Sequence, residues 1–166
     1  MDQYPILTAQ LLQQPGEVAL YEAGFHYNGV LVLADVVHKH PDGTIHIYEV
    51  KNSTAISDTF RNDVAIQHYV IHHALEQIAH PDLFSKGLTL AHFYLLYNDG
   101  EDGFVQEDIL PFAQSQHDTI HHNIARFKEV LRATEPQIPM SPHCDNPYEC
   151  PYKHYCKRQH PTEKEK

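Results

Sequence analysis

Asp35 and, fourteen residues on, the triplet Glu49-Val50-Lys51 limit what this chain can fold into more tightly than any other feature. Around and between them lie two apolar, β-branched runs, residues 30–37 and 44–50, joined across Pro41-Asp42-Gly43, so the stretch reads as a β-hairpin. A turn centred on Asp42 pairs residues whose numbers sum to 84 and sets Asp35 opposite Glu49, with Cβ atoms on the order of 5 Å apart. Side chains alternate along a strand, so Glu49 and Lys51 share one face and Val50 takes the other. Two carboxylates and an ammonium group therefore meet at one end of an apolar hairpin. On a solvated surface such a cross-strand pair is common and worth little. Runs this apolar belong in the middle of a sheet, where an acid pair without a metal carries a heavy desolvation cost.

A hard divalent ion, Mg²⁺ or Mn²⁺, takes oxygen ligands, commonly one or two carboxylates with water and substrate phosphate completing the shell. Asp35 and Glu49 are the expected ligands, helped by the backbone carbonyl of Val50. Lys51 is expected to orient or deprotonate the attacking water, or to neutralise charge building on the phosphorane. This chemistry is phosphodiester hydrolysis.

A chain of 166 residues suffices for one domain with a sizeable core. Its formal charge of −10 is unusual for a nucleic-acid enzyme, because phosphate contacts come mainly from Lys and Arg. The 15 histidines soften that only in part, being mostly neutral at pH 7. DNA binding is then local and metal-assisted, or the partner is not a long duplex. No apolar run reaches the ~18 residues of a transmembrane helix, and no basic region followed by an apolar one opens the chain. No membrane partner and a cytoplasmic location are expected. Three cysteines bunched near the C-terminus argue against a disulfide framework.

Residues 7–14 read as a short helix ended by Pro15-Gly16, and residues 18–27 as a strand. Asn28-Gly29 is a strong two-residue turn into the Asp35 strand. Glu22, on the first strand, is expected at a solvated edge rather than at the metal. From residue 57 to 79 the pattern is helical, with Phe60, Val64, Ile71, Ala74 and Ile78 on one face. Asp63 and Gln67 share that face one turn apart and need partners. Either the Asp35–Glu49–Lys51 end of the sheet supplies them, or the two form an ordinary buried hydrogen-bonded pair. Residues 88–97 read as a buried strand, Asn98-Asp99-Gly100 as a turn, and residues 116–133 as a second helix with Ile120, Ile124, Phe127 and Leu131 as its core stripe. The histidines suggest no site: His38 and His40 sit at a hairpin tip, His72 and His73 point in different directions, and His121 and His122 face solvent.

The stretch from His143 to Cys156 holds Cys144, Cys150 and Cys156 at an even spacing of six, with prolines and aromatics between. It reads as a compact loop rather than a helix or strand. Soft thiolates on such a loop select an iron–sulfur cluster or zinc, and Cys150-Pro151 matches the cysteine–proline step that closes a ferredoxin-type ligand run. Either site wants four ligands. His143, His154, His160, Asp145 or a partner chain is the expected source of the fourth.

Three stretches, Glu49-Val50-Lys51-Asn52-Ser53-Thr54, Asp63-Val64-Ala65-Ile66-Gln67 and Pro142 through Cys156, together resemble the RecB-like branch of the PD-(D/E)XK nuclease superfamily. The nearer likeness is to an uncharacterised bacterial family related to the CRISPR-associated exonucleases, and it covers about residues 18–156. The resemblance implies a nuclease centre of Asp35, Glu49 and Lys51 with Gln67 in support. It makes Cys144, Cys150 and Cys156 three of the four ligands of a 4Fe-4S cluster. The family's first cluster cysteine lies in an upstream helical region, so by this likeness the chain is N-terminally short. Ala34 stands where the superfamily's name has proline.

The expected fold is α/β, a restriction-endonuclease-like mixed β-sheet flanked by helices. It forms a single domain with a core at about 18–133 and a Cys-rich knot at 140–158. The expected function is metal-dependent hydrolysis of DNA, exonuclease-like on single strands. A helicase, nuclease or other chain would supply missing elements. The alternatives are a degenerate or truncated module that binds nucleic acid or a partner protein without catalysis, and a small zinc-stabilised protein whose acids are structural.

Overall fold

The computed structural model describes residues 3–78, 87–146 and 148–159. They fall into two compact units, residues 1–124 and 125–166. The first unit runs α1 (Gln3–Leu12), β1 (Val18–Tyr27), β2 (Val30–Lys39), β3 (Thr44–Lys51), α2 (Asp58–Ile78), β4 (Thr89–Asn98), β5 (Phe104–Asp108), α3 (Leu110–Ser115) and the first half of α4 (His117–Arg132). It is an α/β unit: a five-stranded mixed sheet in the order β1-β2-β3-β4-β5, flanked by helices.

Local chemistry sets the hairpins. Asn28 and Gly29 take φ of 51° and 77°, the turn whose twist matches the flanking strands, and Tyr27 pairs with Val30 beside it. The β2–β3 ladder keeps the expected register, from Lys39 opposite Ile45 to Val36 opposite Tyr48. Gly43, at φ 87°, lets the chain reverse, and its N–H donates to the His40 carbonyl. From β3 the chain crosses through α2 and returns as β4, parallel to β3. The site strands are therefore interior ones, as their apolar composition requires.

α1 begins earlier than the expected residues 7–14, because Pro5 is tolerated in a first turn where N–H groups lack helical partners. It covers the β1 edge: Thr8 Oγ1 accepts from the Gly24 N–H at 3.0 Å. A Cβ on Gly24 would meet Tyr4 Cβ at 2.6 Å, so glycine alone permits this approach.

On the inner face, Val37, Ile45, Ile47, Phe93 and Leu95 join Val64, Val70, Ile71 and Leu75 of α2 in one core. The expected stripe on α2 holds at Val64, Ile71 and Ala74, while Phe60 and Ile78 pack at the core's margin. Residue 79 lies outside the described residues. The middle of α2, Gln67 to Ile71, is buried on every side because α3 packs against it as well as the sheet. Helical periodicity carries no sign of that second neighbour, and neither α3 nor β5 was foreseen.

One step of the β1–β2 ladder is irregular. Pairing passes from Tyr21–Val36 to Ala23–Ala34 and skips Glu22 and Asp35. Glu22 is exposed and takes φ 53°, uncommon for a residue other than glycine. Inward positions in β2 switch there from Ala34 to Val37, so Asp35 sits where the pleat changes parity.

In the second unit the end of α4 is followed by a 3₁₀ turn (Pro142–Cys144) and α5 (Lys153–Gln159). Ile120 and Ile124 of the α4 stripe are buried as expected. Phe127 and Leu131, which belong to this second unit, are instead 54% and 84% exposed. The cysteine segment is not purely a loop either: Cys156 lies on α5. Pro151 stands just before that helix, where a missing N–H costs nothing, and the Cys150 carbonyl accepts from Lys153 N–H at 3.0 Å. Among the described residues no helix is long and apolar enough to cross a membrane.

Candidate metal and catalytic centre

Asp35, at the skipped step of the ladder, accepts a hydrogen bond at Oδ2 from the Val50 N–H at 2.8 Å. Glu49 projects inward from β3 and is 6% exposed. Lys51, two residues on and on the same face, donates from Nζ to Glu49 Oε1 at 2.8 Å and to Asp63 Oδ2 at 2.6 Å. Asp63 and Gln67 lie one turn apart on α2, whose crossover carries them over the end of β3. The Phe60 ring centroid, 5.6 Å from Nζ, closes the ammonium group against the helix. Sequence-predicted Asp35, Glu49, Lys51 and Gln67 thus come together, and Asp63 joins them as the second partner of Lys51. Of Val50, the N–H is the group tied to the site.

Burial pushes the Glu49 carboxyl above its usual range, and the Asp35 charge adds to this; Lys51 and Gln67 act in the opposite sense without cancelling it. Burial alone would lower the Lys51 ammonium, but its bonds to Asp63 and Glu49 prevail and hold it above the ordinary lysine value. Lys51 is therefore a fixed cation. Glu49 Oε2 and Gln67 Oε1 are both buried without a hydrogen-bond partner. A buried acceptor left unsatisfied costs ~1–3 kcal/mol, more when charged. A hard cation satisfies such oxygens, and a set of carboxylate and amide oxygens is what Mg²⁺ or Mn²⁺ takes.

The second unit holds the thiols. Cys144, Cys150 and Cys156 are free and line one cavity of about 660 Å³, together with His143, Tyr152 and Tyr155. The Cys150 N–H donates to the Cys144 carbonyl at 2.9 Å, which fixes the loop between them. Of the fourth-ligand candidates, His143 lines the cavity, Asp145 is bonded to Lys153 Nζ, and His154 is exposed. His160 lies outside the described residues. Three soft donors on one cavity wall suit an iron–sulfur cluster or zinc.

Among the described residues, histidines gather in two clusters that reading each element separately concealed. On α2 and α4, His72 Nε2 and His73 Nδ1 both reach Glu76, at 3.6 and 3.0 Å. Beside them His68 Nδ1 meets His117 Nε2 at 2.7 Å, and Tyr69 Oη meets His121 Nδ1 at 2.8 Å. His68 is 1% exposed, and burial together with the neighbouring imidazoles pulls it down to about 3. The other cluster, on the opposite face of the sheet, contains His38, His40, His46 and His92 with Glu17 and Asp108. Signals for both existed: His68, His72 and Glu76 recur at four-residue spacing, and His38 faces His46 in the register that the turn at Asp42 dictates.

No family model matches the chain, and no curated protein matches it.

Proposed function

We propose that this chain is a metal-dependent nuclease that hydrolyses DNA phosphodiester bonds, exonuclease-like on single strands, of the RecB-like PD-(D/E)XK kind. The observation that carries the reading is the orphaned, buried Glu49 Oε2 beside Asp35, in a centre where Lys51 is clamped between Glu49 and Asp63. The succession of two antiparallel strands, a third bearing Glu-x-Lys, a crossover helix and a parallel fourth strand supports the restriction-endonuclease-like fold.

Asp35 and Glu49 would hold Mg²⁺ or Mn²⁺, which when bound supplies Lewis-acid stabilisation of the leaving oxygen. Lys51, held protonated by two carboxylates, donates hydrogen bonds and offsets charge on the phosphorane rather than accepting a proton. Gln67 bears on Glu49 from α2 and keeps its carboxylate oriented. The cysteine cavity would hold a 4Fe-4S cluster or Zn²⁺ through Cys144, Cys150 and Cys156, with His143 best placed as a fourth donor.

The test is cleavage of labelled single- and double-stranded DNA by anaerobically purified protein with Mn²⁺. Degradation by the wild type and none by Glu49→Ala or Lys51→Ala is expected; equal activity in both variants would sink the proposal. The formal charge of −10 favours one other reading, a nuclease-fold module that binds nucleic acid or a partner without turnover. Salt-sensitive DNA affinity with no cleavage would identify it.

A further inference from the structure

β3 carries Glu49 toward the core and His46 toward the other face of the sheet. Around His46 the strand registers gather metal-binding side chains from separate parts of the chain. The β1–β2 ladder pairs Val18 with Lys39, and continuing it by one residue sets Glu17 opposite His40. The β2–β3 ladder pairs His38 with His46 directly. His38 and His40, two residues apart, project on the same side as a strand's alternation dictates.

The distances follow. His38 Nε2 lies 2.7 Å from Glu17 Oε1, and His40 Nε2 lies 3.4 Å from His46 Nδ1. One ligand atom each from Glu17, His38 and His40 can be chosen so that all lie within 4.8 Å of one another. Around a tetrahedral ion with bonds of ~2.0–2.1 Å, neighbouring donors stand ~3.4 Å apart. The groups are already near ligand spacing.

The surroundings suit coordination. The half-buried His46 ring lies 4.6 Å from that of His40 and 6.4 Å from that of His38, between centroids. Its ring packs edge-on against His92 at 4.8 Å between centroids, and His92 Nδ1 is bonded to Asp108 Oδ2 at 2.6 Å. That outer pair fixes His92 as a wall for the His46 ring, the orienting role that residues beyond the ligands play in metal sites.

We propose that Glu17, His38 and His40, with His46 beside them, bind a borderline divalent transition-metal ion of the zinc type. Imidazole with a single carboxylate selects such an ion over the hard cations suited to Asp35 and Glu49. The sheet separates the two sites, since β3 sends Glu49 to one face and His46 to the other. An ion held here clamps the start of β1 to the β2–β3 turn, closing a loop across two hairpins. The site does not depend on the nuclease reading.

The experiment titrates untagged, chelator-stripped protein with Co²⁺ and Zn²⁺, following visible cobalt absorption and the thermal midpoint. Expected is a tetrahedral cobalt spectrum without sulfur-to-cobalt charge transfer, displaced by Zn²⁺, and a midpoint raised by Zn²⁺. Glu17→Gln, His38→Gln and His40→Gln should each weaken this binding by about ten- to a hundredfold or more. Glu49→Gln and His73→Gln should leave it unchanged. The exposed Glu17 and half-buried His38 lie off the core, so those two variants decide the matter even where His40→Gln lowers the metal-free midpoint. Unaltered affinity in Glu17→Gln and His38→Gln overturns the proposal. So does loss of binding in His73→Gln, which would assign the ion to the α2 cluster. A spectrum showing only thiolate charge transfer, which would assign it to the cysteine cavity, overturns it as well.

Discussion

The two faces of β3 use one backbone for opposite chemistry. Ile45, Ile47, Glu49 and Lys51 point inward, while Thr44, His46, Tyr48 and Val50 point outward. Inside, charged groups are desolvated, tied in short ion pairs, and left with a bare carboxylate oxygen. Outside, imidazole and phenol rings lie against one another and keep contact with water. The two-residue period of a strand sorts carboxylate oxygens from imidazole nitrogens across the thickness of a single sheet. A one-residue slip in register would exchange the two sets and destroy both.

Catalysis gives the largest expected contrast. Glu49→Ala or Lys51→Ala should reduce DNA cleavage by about a hundred- to a thousandfold, the scale of removing one preorganised charge-stabilising group. The outward His46→Gln should leave the rate within about twofold, since its ring lies on the face of β3 opposite Glu49 and Lys51. An equal loss from His46→Gln in the kinetic assay would break the division between the faces.

Acid stability comes next, and it tests the inner side alone. His68 on α2 packs against Phe93 of β4, with ring centroids 6.3 Å apart, and burial holds it at about 3, below its ordinary value of 6.5. A depressed pKa contributes stability that is full above the unfolded value and is lost as pH falls through the folded one. The window therefore runs from about pH 6.5 down toward pH 3, at up to about 1.4 kcal/mol per pH unit. Urea midpoints measured from neutral pH downward should fall steeply in the wild type and less steeply in His68→Gln. Parallel curves would mean that His68 charges freely in the fold.

Glu49 has the opposite sign and a smaller expected effect. Its pKa is raised by burial, so its contribution is present below the unfolded carboxyl value and is lost as pH rises through the folded one. At neutral pH, metal-free Glu49→Gln should melt above the wild type. Added Mn²⁺ should raise the wild-type midpoint and leave that of the variant nearly unchanged. A variant less stable than the wild type without metal would show that Lys51 alone compensates the carboxylate.

These contrasts also mark how far the sequence could be read. The hairpin register was legible because Asn28-Gly29 and Pro41-Asp42-Gly43 are strong local turn signals; the β2–β3 ladder holds it as far as Val36 opposite Tyr48, one residue short of Asp35 and Glu49. The place of Gln67 on the centre's side of α2 was legible from periodicity. Asp63 as a partner of Lys51 was open, because helical spacing gives a face but no cross-chain distance. The outer-face histidines went unrecognised, although the same register pairs His38 with His46, because each was judged within its own strand. The exposure of Phe127 and Leu131 lay beyond reach, since an apolar stripe says which residues could be covered and not whether anything covers them. Cys156 lies on α5 and not in a loop because Pro151 stands just before a helix start, where its missing N–H is tolerated.

The smallest contrast sharpens the comparison at its outer side. Tyr48 and Tyr94 are direct neighbours across the parallel β3–β4 ladder, and their rings stack with centroids 5.2 Å apart and planes inclined by 26°. Offset-stacked aromatic pairs contribute about 0.5–1.5 kcal/mol beyond the area they bury. A double-mutant cycle with Tyr48→Ala and Tyr94→Ala should return a coupling in that range from urea unfolding. The coupling should be insensitive to Mn²⁺, because it belongs to the face that the carboxylate centre does not touch. If Mn²⁺ changed it, binding at Glu49 would be transmitted through β3 to the opposite side. The two faces would then be one coupled site rather than two independent ones sharing a strand.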